Sequence, residues 1–212
     1  MNLANGKSNF SKDVILLSSQ IRFIADCHFT HFGAIKFDNR PFSTVEEMDN
    51  TLIKNWNSVT KGGDWTYILG DFCWGTNNKW IEILDQLKGN KILIRGNHDL
   101  KQMSTELKNK FRAIKDYEEL TVFRENGEKQ KVILSHYYIP FYNKHRSNGI
   151  LLHGHSHITD ESILERKITN DLNEKGFDLK VYNVGCMYPY MNFMPQTLEN
   201  IITGYEKYEK DL

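Results

Sequence analysis

The feature that most constrains this chain is a short apolar run that ends abruptly in polar, chemically reactive side chains. Ile92–Ile94 is followed closely by Gly96 and then by Asn97, His98 and Asp99. The apolar run is typical of a buried strand, and the glycine lets the backbone turn sharply where the strand ends. Polar groups at the carboxyl end of a buried strand are a common way to build a site in an α/β fold. Alone, the run equally fits an ordinary strand-to-helix connection with Asp99 as the helix cap.

The same arrangement recurs along the chain, and a single connection would not produce that recurrence. Further apolar runs, interpreted as strands, lie at 21–25, 65–69, 132–134 and 150–152. The side chains at the ends of all these runs are Asp26, His28, Asp71, Asn97, His98, Asp99, His136, His155 and His157. If the strands lie in one pair of packed sheets, their ends converge on a common rim. Carboxylate, imidazole and amide ligands suit manganese, iron or zinc, and one aspartate can bridge two metals roughly 3.5–4 Å apart.

The segments between these runs predict helices, a hairpin and one irregular region. Ser43 and Glu46 have the spacing of a capping box at the start of a helix, and Thr197 is expected to cap the last helix. Apolar residues at helical spacing predict further helices at about 78–88 and around 103–114. Asn126-Gly127 predicts a hairpin that joins strands 120–123 and 132–134. The remaining predictions are short strands at 14–17 and 179–184 and a polar, loop-rich region at 158–177.

Composition limits the classes of protein that fit. The length of 212 residues suits a single domain over 13–212, preceded by a poorly ordered tail over 1–12. The 27 basic and 27 acidic residues balance, which argues against a broad nucleic-acid-binding face. No apolar stretch is long enough to span a membrane, and Met1–Asp13 lacks the pattern of a secretory signal. Three widely spaced cysteines do not make a disulfide framework, so we expect a cytoplasmic protein.

Five sequence blocks resemble, in order, the signature of the calcineurin-like metallophosphoesterases. Of these blocks, G-N-H-D and G-H-x-H are fairly specific, whereas D-x-H and G-D are weak when they stand alone. The stretches Asp26–His31 and Phe37–Phe42, followed by a helix that ends in Asn55-Trp56-Asn57, are further similar to small, uncapped bacterial and phage members, which typically have a glycine where this chain has Thr30. The resemblance implies a four-layer α/β/β/α sandwich of two mixed sheets flanked by helices. The blocks are Asp26-Cys27-His28, Gly70-Asp71, Gly96-Asn97-His98-Asp99, Ser135-His136 and Gly154-His155-Ser156-His157.

The resemblance also implies a dinuclear metal centre and a role for each matching residue. Two divalent ions are expected, with manganese favoured and iron, zinc or nickel as alternatives. A metal-bridging hydroxide would attack phosphorus, and His98 would assist the leaving group while Asp99 orients its ring. Asp26, His28 and His157 would hold the first metal, Asp71 would bridge, and Asn97, His136 and His155 would complete the second.

Three further residues are candidates for substrate binding, each with a structural alternative. His31 could reach a substrate phosphate or could be a surface or supporting histidine. Arg40 could bind phosphate through two hydrogen bonds, or could secure a turn through salt bridges. His153 could lie close to the substrate or support the fold.

The function expected from this resemblance is metal-dependent hydrolysis of a small phosphate ester. A phosphodiester is favoured, because a small member without a cap domain leaves the metals open to a second ester substituent. The alternatives are a phosphomonoesterase, including a phosphoprotein phosphatase, and a non-catalytic binding scaffold. No membrane partner is expected, long nucleic acid is disfavoured, and the sequence leaves the oligomeric state open.

Overall fold

The computed structural model describes residues 17–211, which form two four-stranded sheets and six α-helices. In the first sheet all neighbouring strands are parallel. In the second sheet the first pair is antiparallel and the other pairs are parallel. The sheets contain, in spatial order, β1 (Ile21–Ile24), β2 (Trp65–Ile68), β3 (Asn90–Ile94) and β4 (Ala113–Lys115), and then β5 (Glu118–Phe123), β6 (Lys129–Leu134), β7 (Ile150–His153) and β8 (Lys180–Asn183).

Side chains that alternate along the strands divide the core into layers. Phe23 and Ile94 of the first sheet meet Val132 and Leu152 of the second, so the main core lies between the sheets. The opposite face of the first sheet is covered by α2 and α3, and that of the second sheet by α5. The predicted α/β/β/α sandwich is therefore confirmed, with one parallel and one mixed sheet where two mixed sheets were expected. The helices are α1 (Phe32–Phe37), α2 (Val45–Val59), α3 (Asn77–Leu84), α4 (Thr105–Lys108), α5 (Asp160–Glu174) and α6 (Leu198–Lys210).

The start of α2 differs from the prediction by one residue. The N-cap is Thr44, whose side chain accepts a hydrogen bond of 3.1 Å from the Glu47 amide. The Glu47 carboxylate in turn accepts a 2.8 Å bond from the amide of Ser43. The reciprocal pair therefore uses Thr44 and Glu47, and the predicted cap at Ser43 with Glu46 is wrong.

Two other predictions of secondary structure are wrong. The expected helix around 103–114 is reduced to the single turn of α4, and Ile114 belongs to β4, which pairs with β3. The region expected to be rich in loops contains α5, a helix of 15 residues that starts at a capping box between Thr159 and Ser162. The predicted N-terminal tail and most of the strand at 14–17 lie outside the described residues. Within 17–211, no helix is long and apolar enough to cross a membrane.

Candidate metal centre

The predicted ligands converge where the ends of the two sheets meet. Beyond β1, the amide of Ala25 donates a 2.8 Å hydrogen bond to the carbonyl of Val184, and the amide of Cys186 donates a 2.9 Å bond to the carbonyl of Ala25. This backbone pairing joins the end of β1 to the end of β8. The loops that follow the strands of both sheets therefore open onto one rim, as the sequence pattern predicts.

Two groups of side chains at this rim have the composition of metal sites. The first cluster is Asp26, His28 and His157, and the second cluster is Asp71, His136 and His155. Within each cluster, the potential ligand atoms all lie within 4.8 Å of one another. Asp26, His28, Asp71 and His136 are almost fully buried, whereas His155 and His157 are partly exposed.

The backbone at these positions is unusual. Five of the clustered residues adopt left-handed backbone angles, which cost about 1–3 kcal/mol each and are retained where surrounding contacts enforce them. Here the loops hold one another, since the Asp26 amide bonds to the Gly70 carbonyl at 3.1 Å and the His28 amide to the Asp71 carbonyl at 3.0 Å. The φ values are Asp26 52°, His28 48°, Asp71 50°, His155 74° and His157 49°.

Thr30 has the same backbone conformation, with φ of 63°. This is the position at which the similar small members typically carry glycine, the residue that adopts such angles without steric cost. In this chain the Thr30 amide donates to both carboxylate oxygens of Asp49, at 3.0 and 3.1 Å. These bonds hold the loop after His28 in its turn without a glycine.

In the first cluster, a chain of side chains orients His157. Its Nδ1 lies 2.7 Å from Oδ1 of Asp38, so Nδ1–H donates to the carboxylate and Nε2 faces the cluster. Although burial lowers the pKa of His157, the hydrogen bond to Asp38 and the charge of Asp26 raise it overall. Asp38 is itself paired with the guanidinium of Arg40, whose Nε donates to Oδ2 at 2.8 Å.

In the second cluster, the main chain orients His136. Its Nδ1 donates a 2.8 Å hydrogen bond to the carbonyl of Leu69. Its Nε2 lies 2.9 Å from Oδ1 of Asn97, and the same oxygen lies 3.0 Å from Nδ1 of His155. The structure therefore places the predicted ligand Asn97 against both histidines of this cluster.

Asp71 lies between the two clusters. Its Oδ2 is 3.8 Å from Nε2 of His28 and 3.5 Å from Nε2 of His136. Its other oxygen accepts a 2.9 Å hydrogen bond from the amide of His98. One carboxylate oxygen thus faces a histidine of each cluster while the other is anchored to the main chain.

The lone-pair atoms of the two clusters are arranged to bind cations rather than to form hydrogen bonds with one another. Since Nδ1 of His136 donates to a carbonyl, Nε2 of the neutral ring is an acceptor, yet it faces the acceptor oxygen of Asn97. In the first cluster, Nε2 of His28 and Nε2 of His157 lie only 3.3 Å apart. Burial and the charge of His157 lower the pKa of His28, which favours the neutral ring that binds metal. Converging lone pairs of this kind are what a divalent ion would satisfy.

Asp26 supports the same conclusion. Burial raises the pKa of this carboxyl to about 7, against the opposing effect of His157. Both of its oxygens accept from the amide of His155, at 3.2 and 3.0 Å. A side chain at Gly154 would crowd this carboxylate, because a Cβ there would lie 2.6 Å from Oδ2 of Asp26. A nearby cation would stabilise the ionised form of this buried carboxylate.

Asp99 is placed differently from the prediction. It was expected to orient the ring of His98, but its Oδ1 accepts from the amide of Phe72 at 2.9 Å and its Oδ2 from the amide of Gly96 at 2.8 Å. Both carboxylate oxygens are thus engaged by the main chain, and Asp99 fixes the loops that carry Asp71 and Asn97. The ring of His98 is exposed at the rim, 5.9 Å from the ring of His28 between centroids.

Arg40 is not available to a substrate phosphate, so the candidate role in substrate binding is wrong. Its side chain is fully buried. Nη1 and Nη2 donate to the carbonyls of Cys27 and Asp26, each at 2.8 Å, and the guanidinium also pairs with Asp38. Arg40 therefore secures its own turn through the salt bridge to Asp38, as in the structural alternative, and also supports the turn after β1.

His153 also lies away from the ligands. His153 is the last residue of β7, and its side chain points to the outer face of the second sheet, as that of Leu151 does. Its Nδ1 donates to the carbonyl of Gly154 at 3.0 Å. Its ring packs against Tyr138 and lines a cavity of about 190 Å³ between α5, α6 and the second sheet. The structure thus contradicts a position close to the substrate, because strand alternation turns this side chain away from the rim.

His31 does lie at the rim. Its ring is 5.4 Å from that of His28 and stacks on Trp74, with centroids 4.4 Å apart and an interplanar angle of 10°. Burial and the charge of His98 lower the pKa of His31. Its role in binding substrate remains a prediction.

Sequence reasoning missed several residues that contact the site. Asp38 lies close to Arg40 in the chain and contacts His157, but no strand end precedes it to mark it as a functional residue. Phe37 and Trp74 are exposed aromatic residues at the rim: Phe37 contacts the predicted ligands His28 and His157, and Trp74 contacts His31 and His98. Tyr137 was not missed: because it directly follows His136, the sequence admits it as a residue of the pocket wall or of the core, and in the structure it is exposed with its ring 4.7 Å from that of His155.

Comparison with known proteins identifies the family. The family model for calcineurin-like phosphoesterases matches residues 19–190. The chain belongs to the calcineurin-like phosphoesterase family. This confirms the resemblance found in the sequence and makes the protein a metal-dependent phosphoesterase with two Asp/His clusters that could bind metal ions. Small phosphate esters are the substrates of this family.

The relatives share most of their length with this phosphoesterase. An uncharacterized protein of Methanocaldococcus jannaschii is 36% identical over 194 residues, which cover 89% of this chain and 92% of that protein. The Gene 66 protein of Mycobacterium phage L5 is 29% identical over 181 residues, covering 74% and 85%. The crystal structure of a protein of unknown function from Aquifex aeolicus superposes with a TM-score of 0.62 at 25% identity, covering 86% of this chain and 97% of that one.

Proposed function

We propose that this phosphoesterase hydrolyses phosphodiesters at a dinuclear centre formed by the two clusters. Asp26, His28 and His157 would hold one cation, and His136, His155 and Asn97 the other. The observation that carries the proposal is the position of Asp71, whose Oδ2 lies within 3.8 Å of a histidine nitrogen of each cluster. A carboxylate shared in this way is the usual bridge of hydrolytic two-metal sites.

When bound, the two cations would activate a water molecule at neutral pH and offset charge on the phosphoryl oxygens. Manganese is our first choice for both ions, because the donors are carboxylate and amide oxygens and imidazole nitrogens.

His98 would act on the leaving group. Its main chain is fixed by the 2.9 Å bond to Asp71, while its ring is exposed beside both His28 and Trp74. As water oxygen bonds to phosphorus and the bond to the ester oxygen breaks, His98 would donate its proton to that oxygen. The water would lose its protons as it becomes a phosphoryl oxygen, and one of them, returned through solvent, would restore the ring of His98, so protons balance over the cycle.

The openness of the rim supports a diester substrate. Asn97 and His98 are exposed, and His155 and His157 are partly exposed. A phosphoryl group at this rim would have room for an ester substituent on each side. The proposed setting is cytoplasmic, because Cys27, Cys73 and Cys186 are all free thiols.

The test compares bis-p-nitrophenyl phosphate with p-nitrophenyl phosphate. Metal-stripped protein is reloaded with manganese, and release of p-nitrophenolate is measured for both compounds. We expect turnover only after reloading, with the larger kcat/KM for the diester. Faster hydrolysis of the monoester would assign a phosphomonoesterase instead. Two bound metals without turnover of either compound would contradict the proposal and favour a binding scaffold.

A further inference from the structure

Exposed aromatic rings are concentrated around the candidate metal centre. Within residues 17–211, the exposed large hydrophobic residues include six aromatic ones, and three of these pack against histidines of the two clusters or of the rim beside them. Phe37 packs against His28 and His157, with centroid distances of 5.8 and 5.2 Å. The three are Phe37, Trp74 and Tyr137, with 52, 45 and 47% of their surface exposed. Isolated surface aromatics need no explanation, but a group around one polar site points to a ligand.

Trp74 is the most firmly positioned of the three. Its amide donates a 2.8 Å hydrogen bond to the carbonyl of Phe29, and its carbonyl accepts from the hydroxyl of Thr30. Its indole is stacked on His31 at 4.4 Å between ring centroids. Both the backbone and the ring of Trp74 therefore contact the loop that carries His28, so the position of the indole is fixed before a ligand binds.

Trp74 also lies on the side of the proposed leaving group. Its ring is 5.7 Å from that of His98, with an interplanar angle of 50°. An ester substituent directed towards His98 would therefore meet the indole. A flat π-system is the chemistry that an indole surface binds best, because stacking combines apolar burial with favourable ring geometry.

We infer that Trp74, backed by His31, forms a subsite for a planar aromatic ring carried by the phosphate ester. The ring could be an aryl group or a nucleobase, which share this chemistry. The inference rests on the proposed function, since it assumes that the phosphoryl group occupies the two clusters. It makes Trp74 a determinant of specificity for the ester substituent on the side of His98.

The experiment compares two ligands with the same phosphonate group and no ester bond to hydrolyse. Binding of phenylphosphonate and of methylphosphonate to the manganese-loaded protein is measured by isothermal titration calorimetry. The unmodified protein is expected to bind phenylphosphonate about tenfold more tightly, a preference within the usual range for one stacked ring. In Trp74→Ala the ratio of the two dissociation constants should fall towards one, and Trp74→Phe should retain part of it.

Phe141→Ala is the matched control. Phe141 is 57% exposed but packs against His145 and Phe177, away from the clusters. This variant should keep the full preference for phenylphosphonate. An unchanged ratio in Trp74→Ala, or no preference in the unmodified protein, would overturn the inference alone. Failure of the manganese-loaded protein to bind either phosphonate would overturn the metal-site proposal as well.

A second pair of ligands distinguishes the two sources of the ring. Adenosine 5′-phosphate and ribose 5-phosphate are compared as competitors of phenylphosphonate. Stronger competition by the nucleotide that is lost in Trp74→Ala would assign the ring to a nucleobase. Equal competition by the two compounds, with the phenylphosphonate preference intact, would assign it to an aryl ester.

Discussion

The two clusters of the candidate metal centre contain similar ligands but are supported in different ways. In the first cluster, His157 is oriented by the side chain of Asp38, which depends in turn on Arg40. In the second, His136 is oriented by the carbonyl of Leu69 at the end of β2. A substitution can remove a side-chain partner, but no substitution removes a main-chain carbonyl. The first cluster should therefore be the more sensitive of the two to mutation of residues outside the ligand set.

The largest effect is expected from Asp71→Asn, because this carboxylate faces both clusters. Its loss should weaken both metal sites, whichever way their histidines are oriented. Activity with manganese should fall by at least about 10³-fold, since a shared ligand contributes several kcal/mol to both metal sites. Steady-state kinetics give the rate, and circular dichroism checks the fold. Near-normal turnover in a variant with two bound metals would contradict a bridging role.

His98→Ala should lower kcat by about 10²- to 10⁴-fold, the usual contribution of general acid–base catalysis. The His98 side chain orients no residue of either cluster, so both metals should stay bound. Metal content measured by mass spectrometry separates the two possibilities. Loss of a metal together with activity would show that His98 is a ligand.

Arg40→Ala tests the support of the first cluster through stability. Removing a fully buried guanidinium leaves Oδ2 of Asp38 and two main-chain carbonyls without their partner, so the free energy of unfolding should fall by about 3–5 kcal/mol. Urea denaturation measures this change. Arg95→Ala is the control, because its exposed pair with Asp116 should contribute less than about 1 kcal/mol. Full stability with only a raised KM would restore the role in phosphate binding.

Asp38→Asn should give the smallest of these effects and should be confined to one metal. Loss of a carboxylate behind a ligating histidine typically weakens metal affinity about 10- to 100-fold. Titration with manganese should therefore show one weakened site and one unchanged site. Asp64→Asn is the matched control, because Asp64 is also a buried partner of an arginine, Arg22, but touches neither cluster. Equal weakening of both sites would remove the distinction between the clusters.

The strand ends could be predicted from the sequence because apolar runs and the residues that follow them lie next to each other in the chain. Asp38 could not be predicted in this way, since it reaches His157 across 119 residues and follows no strand. The left-handed angles of the ligands are held by hydrogen bonds between loops, and although Asp and His adopt such angles more often than most residues, they do so too rarely for the sequence to predict them. Family resemblance supplied the roles of Asp26 and its partners, which local patterns alone leave open.

The errors in the fold have similar causes. None of the residues of α5 is buried, and its apolar stripe is limited to Leu164, Ile168 and Leu172 within an otherwise polar segment, which makes the helix easy to take for a loop. The local signals for this helix are its capping residues Thr159 and Ser162, the acidic Asp160 and Glu161 in its first turn, and Gly176 just beyond its end. β4 has three residues and exists through its pairing with β3, a contact that the sequence around Ile114 does not encode.

The left-handed backbone of Asp26, His28, Asp71, His155 and His157 also bears on how a metal would enter. These conformations are held by the loops themselves, so the conformational cost belongs to folding and not to binding. The ligands would therefore already be positioned when a cation binds, and binding would require no rearrangement of the chain. The binding energy of the cation would instead be added to the stability of the native state, and the melting temperature should rise with metal concentration.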